Sequence, residues 1–190
     1  EDIDFMIELE ADTVQFMLFT PLPVTGLYKR LKKKGLIKEH LPLEEWHGQK
    51  MLNWNHPAFP DNTAEKFLKA AFRKEYEVNS STLYRVTKTA LAGYKKLLSR
   101  PERTPLLDSR LETLKLRVKK YSVMLPAIKA NAVNKLEKDR AIELERQVFD
   151  AIGKPSPKYR LLRGAVLAIS LWWKLRLKLI GDVIQPQTIY

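Results

Sequence analysis

Residues 13–37 read TVQFMLFTPLPVTGLYKRLKKKGLI, and this stretch decides how the chain is expected to fold. Its first seven residues, Thr13 to Phe19, are apolar at most odd and even positions alike. A strand with two apolar faces is typical of a parallel sheet that is covered by helices on both sides. We therefore predict a buried strand over residues 13–19. Its two faces carry Val14, Phe16 and Leu18, and Gln15, Met17 and Phe19.

A cationic helix is expected after the prolines of this stretch. Residues 24–34 place Leu27, Tyr28 and Leu31 at helical spacing, with lysine and arginine side chains between them. Gly35 suits the position just after a helix, because glycine adopts a positive φ without steric cost. A strand, a Pro-rich loop and a helix in this order predict a βα unit, so the fold class is expected to be mainly α with an α/β start.

The rest of the chain divides into an irregular part and a helical part. Residues 37–61 contain Trp46 and Trp54, several prolines and no regular period, which predicts a packed irregular connector between a first region, 1–36, and a helical extension, 62–190.

Helix boundaries in the extension are predicted from capping residues. Thr63, then Ser80 or Ser81, and then Thr104 before Pro105 are expected to begin helices. Pro126 is expected to kink or end the helix that Pro105 begins, because proline lacks the amide proton and clashes with the preceding turn. A further helix is expected to end near Gly153.

The composition limits the partners and the chemistry. A formal net charge of +12 suggests an anionic partner, either nucleic acid or an anionic membrane face, although many solvated lysines would give the same total. The chain contains no cysteine, which excludes a disulfide framework, a Cys-ligated zinc site and a thiolate-held iron–sulfur cluster within these residues. The opening EDIDFMIELE reads as the end of an amphipathic helix and not as a signal peptide, so we expect a piece of a longer protein.

The basic end of the extension, residues 154–181, is a candidate for membrane contact. No acidic residue lies between Lys154 and Ile180, and the nine-residue run AVLAISLWW is too short for a bilayer span, which needs about 20 residues. An interfacial helix with tryptophans at headgroup level and cations against anionic lipid is one interpretation. Its membrane contacts would be Trp172, Trp173, Lys174, Arg176 and Lys178. The alternatives are a buried final helix covered by its own lysine and arginine stems, or an edge strand, because WKLRLKLI alternates with period two.

No standard catalytic or metal-binding pattern is present. His40, His47 and His56 have spacings that match no zinc motif, and no P-loop, GxSxG or GxGxxG occurs, so no metal ligand and no catalytic residue is predicted. Ligands of βα folds bind beyond the carboxyl ends of the strands. Phe19 and the loop after it occupy that end of the predicted strand, while an inward Gln15 would need a polar partner. A stiff connector and a paired core glutamine are the alternative interpretation.

The stretch 13–37 also resembles the late barrel strand and loop of radical SAM enzymes, especially the branch with an N-terminal cobalamin-binding domain. Those enzymes carry a strand that ends in T-P-x-P-G-T-x-L-Y, followed by a basic helix that closes in G-x-I or G-L-I. The matching residues are Thr20, Pro21, Pro23, Thr25, Leu27, Tyr28 and Gly35. Val24 departs from the pattern, since the family has glycine there and Gly26 comes two positions later. The match covers about the first 60 residues.

The remainder, with HPAFP, FRKEYEVNSSTLYRV and the long helices, resembles the C-terminal extension of the hopanoid C-3 methylases, which methylate a membrane triterpenoid. The resemblance implies the last βα unit of a partial TIM barrel in a cobalamin-dependent radical SAM methyltransferase that acts on a membrane lipid. Its cofactors would be S-adenosylmethionine, a [4Fe–4S] cluster and cobalamin, and its partners the rest of the barrel and the cobalamin domain. The chain alone would be inactive, because it lacks the cluster-binding cysteines. The residues implied at the cofactor or substrate pocket are Gln15, Phe19, Thr20, Pro21 and Pro23.

Two other functions stay open at this point. Radical SAM enzymes also act on soluble substrates, and a basic helical module could bind nucleic acid, although no recognisable nucleic-acid module accompanies the cations. The expected location is cytoplasmic, with peripheral attachment to the inner membrane if the basic end contacts lipid.

Overall fold

The computed structural model describes residues 1–181, and this part of the chain is mainly helical, as predicted. Its α-helices are α1 (Asp2–Glu8), α2 (Gly26–Lys33), α3 (Thr63–Asn79), α4 (Thr82–Leu98), α5 (Pro105–Tyr121), α6 (Leu125–Asn131), α7 (Lys135–Ile152) and α8 (Pro157–Ile180). The chain forms two compact units, Glu1–Asn79 and Ser80–Tyr190. The predicted domain boundaries at residues 36 and 61 stay predictions, and the end of the predicted extension, 182–190, lies outside the described residues.

The predicted strand over residues 13–19 is wrong. These residues are extended, but none of the described residues forms a strand. A strand is defined by a hydrogen-bonded neighbour, and here only the Leu18 N–H donates to a backbone carbonyl, that of Gly48, at 2.7 Å. We refer to residues 13–19 as the extended segment.

The prediction that both faces of the extended segment are buried is also wrong. Val14, Phe16 and Leu18 face the first unit, whereas Gln15 and its odd-numbered neighbours are exposed. The edge of the Phe16 ring packs against Phe72 of α3, with ring centroids 5.2 Å apart. Gln15 therefore faces away from the unit and needs no buried partner.

Helix α2 follows the pattern that its sequence predicts. The Thr25 side chain caps it by accepting the Tyr28 N–H at 3.2 Å, and Leu31 is buried on its inner face. Gly35 ends the helical region with a φ of +65°, as expected. Val24 is 87% exposed and has no positive φ, so the turn that contains it does not require glycine at that position.

The connector 37–61 is irregular and is held by a few backbone contacts. Ile37 and Trp54 form an isolated antiparallel bridge, and the Lys38 N–H donates to the Asn53 carbonyl at 2.9 Å. A 3-10 turn occupies Leu43–Glu45.

Helix α1 packs against α3, and the Asn79 side chain at the end of α3 donates to the Ile7 carbonyl at 2.8 Å. These contacts close the first unit around a small apolar core.

The second unit has one large apolar core built from α4, α5, α6 and α7. Long-range packing joins α4 to α5 and α6 to α7, because their apolar residues recur at helical spacing on one face. The buried members are Ala90, Leu91, Tyr94, Leu107, Leu111, Val118, Leu125, Ile128, Ala141, Leu144 and Val148. The predicted caps are confirmed at Ser81, which accepts the Tyr84 N–H, and at Thr104, which accepts the Leu107 N–H.

The helix that Pro105 begins ends ahead of Pro126, as predicted. Helix α5 ends at Tyr121, and a 3-10 turn over Ser122–Met124 separates it from α6, where Pro126 lies in the first turn. Proline is accommodated there because the first amides of a helix have no partner within it. The single helix expected after Pro126 is two helices, α6 and α7, which separate at Ala132. Gly153 ends α7 with a φ of +84°, as expected.

Helix α8 is neither the buried helix nor the edge strand considered above. It is a regular helix of 24 residues, and none of its residues is buried. It packs against α6 and the 3-10 turn, and between Pro157 and Ser170 its half-buried residues are Tyr159, Arg163, Val166, Leu167 and Ser170. We refer to its last ten residues, 171–180, as the terminal turns.

Candidate functional site

The loop after the extended segment is fixed by side chains of the connector. The Trp54 Nε1–H donates to the Phe19 carbonyl at 3.2 Å, and the Asn53 Nδ2–H donates to the Pro21 carbonyl at 3.1 Å. Pro21 and Asn53 are both fully buried. Proline has a fixed φ and cannot donate a backbone hydrogen bond. The path of this loop is therefore set by the contacts that its carbonyl groups accept from Trp54 and Asn53.

Gly48 makes the closest backbone approach to this loop. Its φ is +69°, and a Cβ added there would lie 2.2 Å from the Leu18 carbonyl oxygen and 2.9 Å from Thr20 Oγ1. The Gly48 carbonyl accepts the Leu18 N–H, so the connector and the extended segment touch backbone to backbone. Only glycine satisfies both the conformation and the space at this position.

An apolar cavity of about 680 Å³ opens beside the loop, within the first unit. Its wall residues come from α1, the extended segment, α2, the connector and α3. They include Phe19, Leu27, Trp54, His56, Phe59 and Phe67. A cavity of this size and lining suits a nonpolar ligand, because the wall offers few groups that could pair with charge.

His56 is the polar side chain in that wall. Its Nδ1 accepts the Ala58 N–H at 3.1 Å, which in the neutral ring leaves the proton on Nε2. The ring lies between Trp54 and Phe59, with centroid distances of 4.6 and 4.7 Å. The wall is almost entirely apolar, so His56 contributes ring surface to the cavity, as its aromatic neighbours do.

The five residues predicted at the pocket lie in different environments. Phe19, 65% exposed, lines the cavity. Thr20 donates its hydroxyl to the Leu18 carbonyl at 3.2 Å, and Pro21 is buried under Asn53. Pro23 lies in the exposed turn before α2, and Gln15 points away from the unit. The structure thus brings Phe19 to the cavity and gives Thr20 and Pro21 the role of holding the loop.

Three titratable groups of the described chain have pKa values displaced further from neutrality. The Lys74 ammonium lowers the pKa of Asp4, and Glu39, 2.9 Å from Lys32, raises the pKa of that lysine. Hydrogen bonds from Arg146 and Gln147 lower the pKa of Glu143 to about 2. A general acid or base works best with a pKa near the operating pH, so none of these three shifts creates one.

The residues present do not fit the cofactors that the resemblance implies. The chain has no cysteine, and within residues 1–181 no group of three His, Cys, Asp or Glu side chains could hold a metal ion. The apolar cavity lacks the charged partners that S-adenosylmethionine or cobalamin would require. If these groups take part, other polypeptide must hold them.

A second candidate surface is helix α8. The Arg163 guanidinium donates to the Ser122 carbonyl at 2.6 Å and forms an ion pair with Glu145, and Asn131 hydrogen-bonds Ser170. These contacts hold the first half of α8 on the second unit. Beyond Ser170 the structure gives the helix no polar contact with the rest of the described chain.

All five predicted membrane-contact residues lie in the terminal turns. Trp172 and Trp173 are exposed, and the Arg176 guanidinium lies over the Trp173 ring at 4.9 Å and the Trp172 ring at 6.0 Å. Lys174 and Lys178 are four residues apart and therefore lie on one side of the helix. Among the described residues, none of the helices is both long and apolar enough to cross a membrane.

Sequence reasoning missed three residues that position the loop. Gly48 and Asn53 carry no motif, because their roles depend on a contact more than 25 residues away in the chain. Trp54 was recognised only as part of the connector. Isolated glycine and asparagine residues inside an aromatic, irregular segment are the one available indication, since such residues often mark a close backbone approach.

No family model, curated protein or solved structure matches this chain.

Proposed function

We propose that this chain is the C-terminal portion of a cobalamin-dependent radical SAM enzyme, a methyltransferase whose substrate is a membrane lipid such as a hopanoid. The observation that carries the proposal is an extended segment with an open backbone edge, joined directly to the T-P-x-P loop and the basic helix of the family pattern. The partners would be the rest of the barrel and the cobalamin domain. The location would be cytoplasmic and peripheral to the inner membrane.

The backbone of the extended segment supports this assignment. Among the described residues, the N–H and C=O groups of Val14–Met17 form no hydrogen bond. Unpaired backbone groups on an extended, apolar segment favour pairing with a neighbouring strand. In the proposed enzyme, that neighbour is the preceding strand of the barrel, and the exposed side chain of Met17 becomes part of its packed interior.

The apolar cavity supports a nonpolar substrate. It borders the carboxyl end of the extended segment, where ligands of βα folds bind. Phe19, Trp54 and His56 contribute ring surface to this wall, which suits the apolar skeleton of a polycyclic lipid. In the complete enzyme the cofactors would supply the radical and the methyl group, while residues of this chain would bind and orient the substrate.

The first test is the sequence that precedes Glu1 in the intact protein. It should contain a Cys-x-x-x-Cys-x-x-Cys loop roughly 150 residues before Thr20, as the length of the barrel requires. A preceding sequence without such a loop would overturn the assignment to radical SAM enzymes.

The second test measures methyl transfer by the intact enzyme, reconstituted with its cluster, S-adenosylmethionine and cobalamin. Phe19→Ala should lower kcat/KM for the lipid roughly tenfold or more, because a large apolar contact with the substrate is lost. The matched control is Val24→Ala. Val24 is an exposed apolar residue of the loop that follows Phe19, and it does not line the cavity. Equal activity of both variants, with both folded, would exclude this role for the cavity.

The same assay separates the lipid from soluble substrates. If the enzyme forms 5′-deoxyadenosine with a water-soluble acceptor and ignores lipids, the radical SAM assignment holds and the lipid assignment fails. Gln15→Ala tests the barrel assignment in the same assay. Gln15 is exposed here and would contact the barrel only in the complete enzyme.

A further inference from the structure

We propose that the terminal turns of α8 form a monotopic membrane anchor that lies in the interface of an anionic bilayer. Anchoring by α8 depends only on the geometry of the second unit and does not depend on the proposed enzymatic activity. The relevant observation is that a regular helix, held by polar contacts at Arg163 and Ser170, presents its last ten residues uncovered by the other described residues.

The terminal turns are mostly apolar and exposed. Seven of their ten residues are Leu, Ile or Trp. Trp172 is 58% exposed, and Leu179 and Ile180 are each 73% exposed. Lys174 and Lys178 mark one side of the helix, and Arg176 lies on the opposite side, over the tryptophan rings. Apolar residues fill the rest of the surface, and long cationic side chains among them suit a lipid interface, where they can reach the headgroups.

The charges of this region all have one sign. From Lys154 to Ile180 the chain contains no acidic residue, and within the described part Lys174, Arg176 and Lys178 form no ion pair. Among the residues that the structure describes, Arg163 is the one cation of α8 with an ion-pair partner, Glu145. Cations near an anionic leaflet each contribute to binding, so the charge pattern favours an anionic surface.

The tryptophan pair indicates the depth of the anchor. Trp172 and Trp173 are adjacent, with ring centroids 5.6 Å apart, and Arg176 stacks on both. Indole rings prefer the headgroup level, where one edge is wet and the ring face is apolar. Ten helical residues extend about 15 Å, half of the hydrocarbon thickness of about 30 Å. The terminal turns are therefore too short to cross the bilayer, and they lie in its interface.

The same features disfavour the other possible occupants. A second copy of α8 would place lysine and arginine against lysine and arginine, because neither helix carries an acid, and like charges across an interface cost free energy. Nucleic acid would engage the lysines but leave the leucine and isoleucine side chains exposed to water. A lipid interface accommodates both the cations and the apolar residues.

The experiment is co-sedimentation of the full chain with vesicles of phosphatidylcholine alone or mixed with phosphatidylglycerol. Binding should require the anionic lipid and weaken as salt increases. Trp172→Ala with Leu179→Ala should reduce binding at least tenfold, because two large apolar groups no longer enter the bilayer. The matched control is Phe5→Ala with Leu106→Ala, which removes two comparably exposed apolar residues from other helices and should change binding less than twofold.

A second pair of variants tests the charge. Lys174→Gln with Lys178→Gln should reduce binding to anionic vesicles roughly tenfold, whereas Lys33→Gln with Lys34→Gln, with the same loss of net charge, should have little effect. Equal losses in both pairs would overturn the proposal, since net charge alone would then explain binding. Unchanged binding of the Trp172→Ala, Leu179→Ala variant would also overturn the proposal. The same holds if the chain self-associates in solution and these substitutions abolish that association, or if duplex DNA competes fully with the vesicles.

Discussion

The extended segment and the terminal turns of α8 are both apolar and exposed, but different groups are available on each. The extended segment leaves the backbone groups of Val14–Met17 without partners among the described residues. The terminal turns satisfy their backbone within the helix and expose only side chains. Free amides and carbonyls require a directional partner such as a strand, whereas an apolar side-chain surface can be covered by lipid. The difference indicates which kind of partner each region can accept.

The two regions also differ in how they are held. The extended segment depends on close backbone contact with the connector, at Gly48 and Trp54. Helix α8 depends on side-chain contacts at Arg163 and Ser170, which precede its exposed terminal turns. A substitution should therefore disturb one region without the other, and such substitutions test whether the two open surfaces are independent.

The largest effect is expected from Gly48→Ala. A Cβ at this position would lie 2.2 Å from the Leu18 carbonyl oxygen, and the φ of +69° adds strain. We expect the free energy of unfolding of the first unit to fall by about 3 kcal/mol, from overpacking together with the left-handed conformation. Chemical denaturation measures the loss, and hydrogen exchange of the Leu18 amide locates it.

The matched control is Gly35→Ala. Gly35 has a similar φ of +65°, but an added Cβ would meet no atom within 4 Å. Only the conformational cost remains, about 1 kcal/mol. If the two substitutions cost the same, the close approach of the connector to the extended segment is not what holds it. Neither substitution should change vesicle binding by α8.

The comparison of these two glycines also shows how far the sequence could predict the fold. Gly35 is predictable from local information, because a cationic helix precedes it, and the same kind of information predicts the caps at Ser81 and Thr104. Gly48 could not be recognised, since its constraint comes from Leu18, 30 positions earlier in the chain. Short-range rules predicted most helices for this reason.

The strand prediction failed for a related physical reason. Periodicity reports which side chains are apolar, but a strand exists only when another strand pairs with its backbone. Residues 13–19 have the composition of a buried strand and lack that neighbour among the described residues. The candidate site was predictable only in part. Phe19 was predicted at the pocket and lies at the cavity. The contacts of Asn53 and Trp54 with the loop follow no sequence pattern and could not be predicted.

A smaller effect is expected where α8 is anchored. Arg163→Ala removes a hydrogen bond to the Ser122 carbonyl and an ion pair with Glu145, and leaves both groups partly buried without that partner. We expect a loss of about 2 kcal/mol in the free energy of unfolding of the second unit, together with faster amide exchange along α8. Hydrogen exchange with mass spectrometry measures both.

Arg160→Ala is the control for this prediction. Arg160 is exposed, lies one turn before Arg163 and forms no ion pair within the described residues, so its removal should cost no more than about 0.5 kcal/mol. Equal exchange in the two variants would mean that α8 does not rely on its polar contacts. The extended segment should exchange as in the unmodified chain in both cases.

The smallest effect concerns the charges of α7, which contrast with those of α8. Arg146 on α7 donates to Glu143 and Asp150, whereas α8 carries no acid. The Arg146 and Gln147 hydrogen bonds hold the pKa of Glu143 at about 2, below its ordinary 4.5. A carboxyl whose folded-state pKa is lowered stabilises the fold above its ordinary pKa and loses that contribution as the pH falls through the folded value.

The difference in thermal midpoint between the unmodified chain and Glu143→Gln should therefore be constant above about pH 5 and shrink between pH 4.5 and pH 2. It should stay small, because the pair is exposed and screened by solvent. Arg146→Gln removes the larger of the causes that lower this pKa, so adding Glu143→Gln to it should produce only the smaller pH-dependent change that Gln147 supplies. A pH-dependent difference of undiminished size in the Arg146→Gln background would assign the lowered pKa to another group. Since α8 has no carboxyl group, the charge of its terminal turns should not change over this pH range.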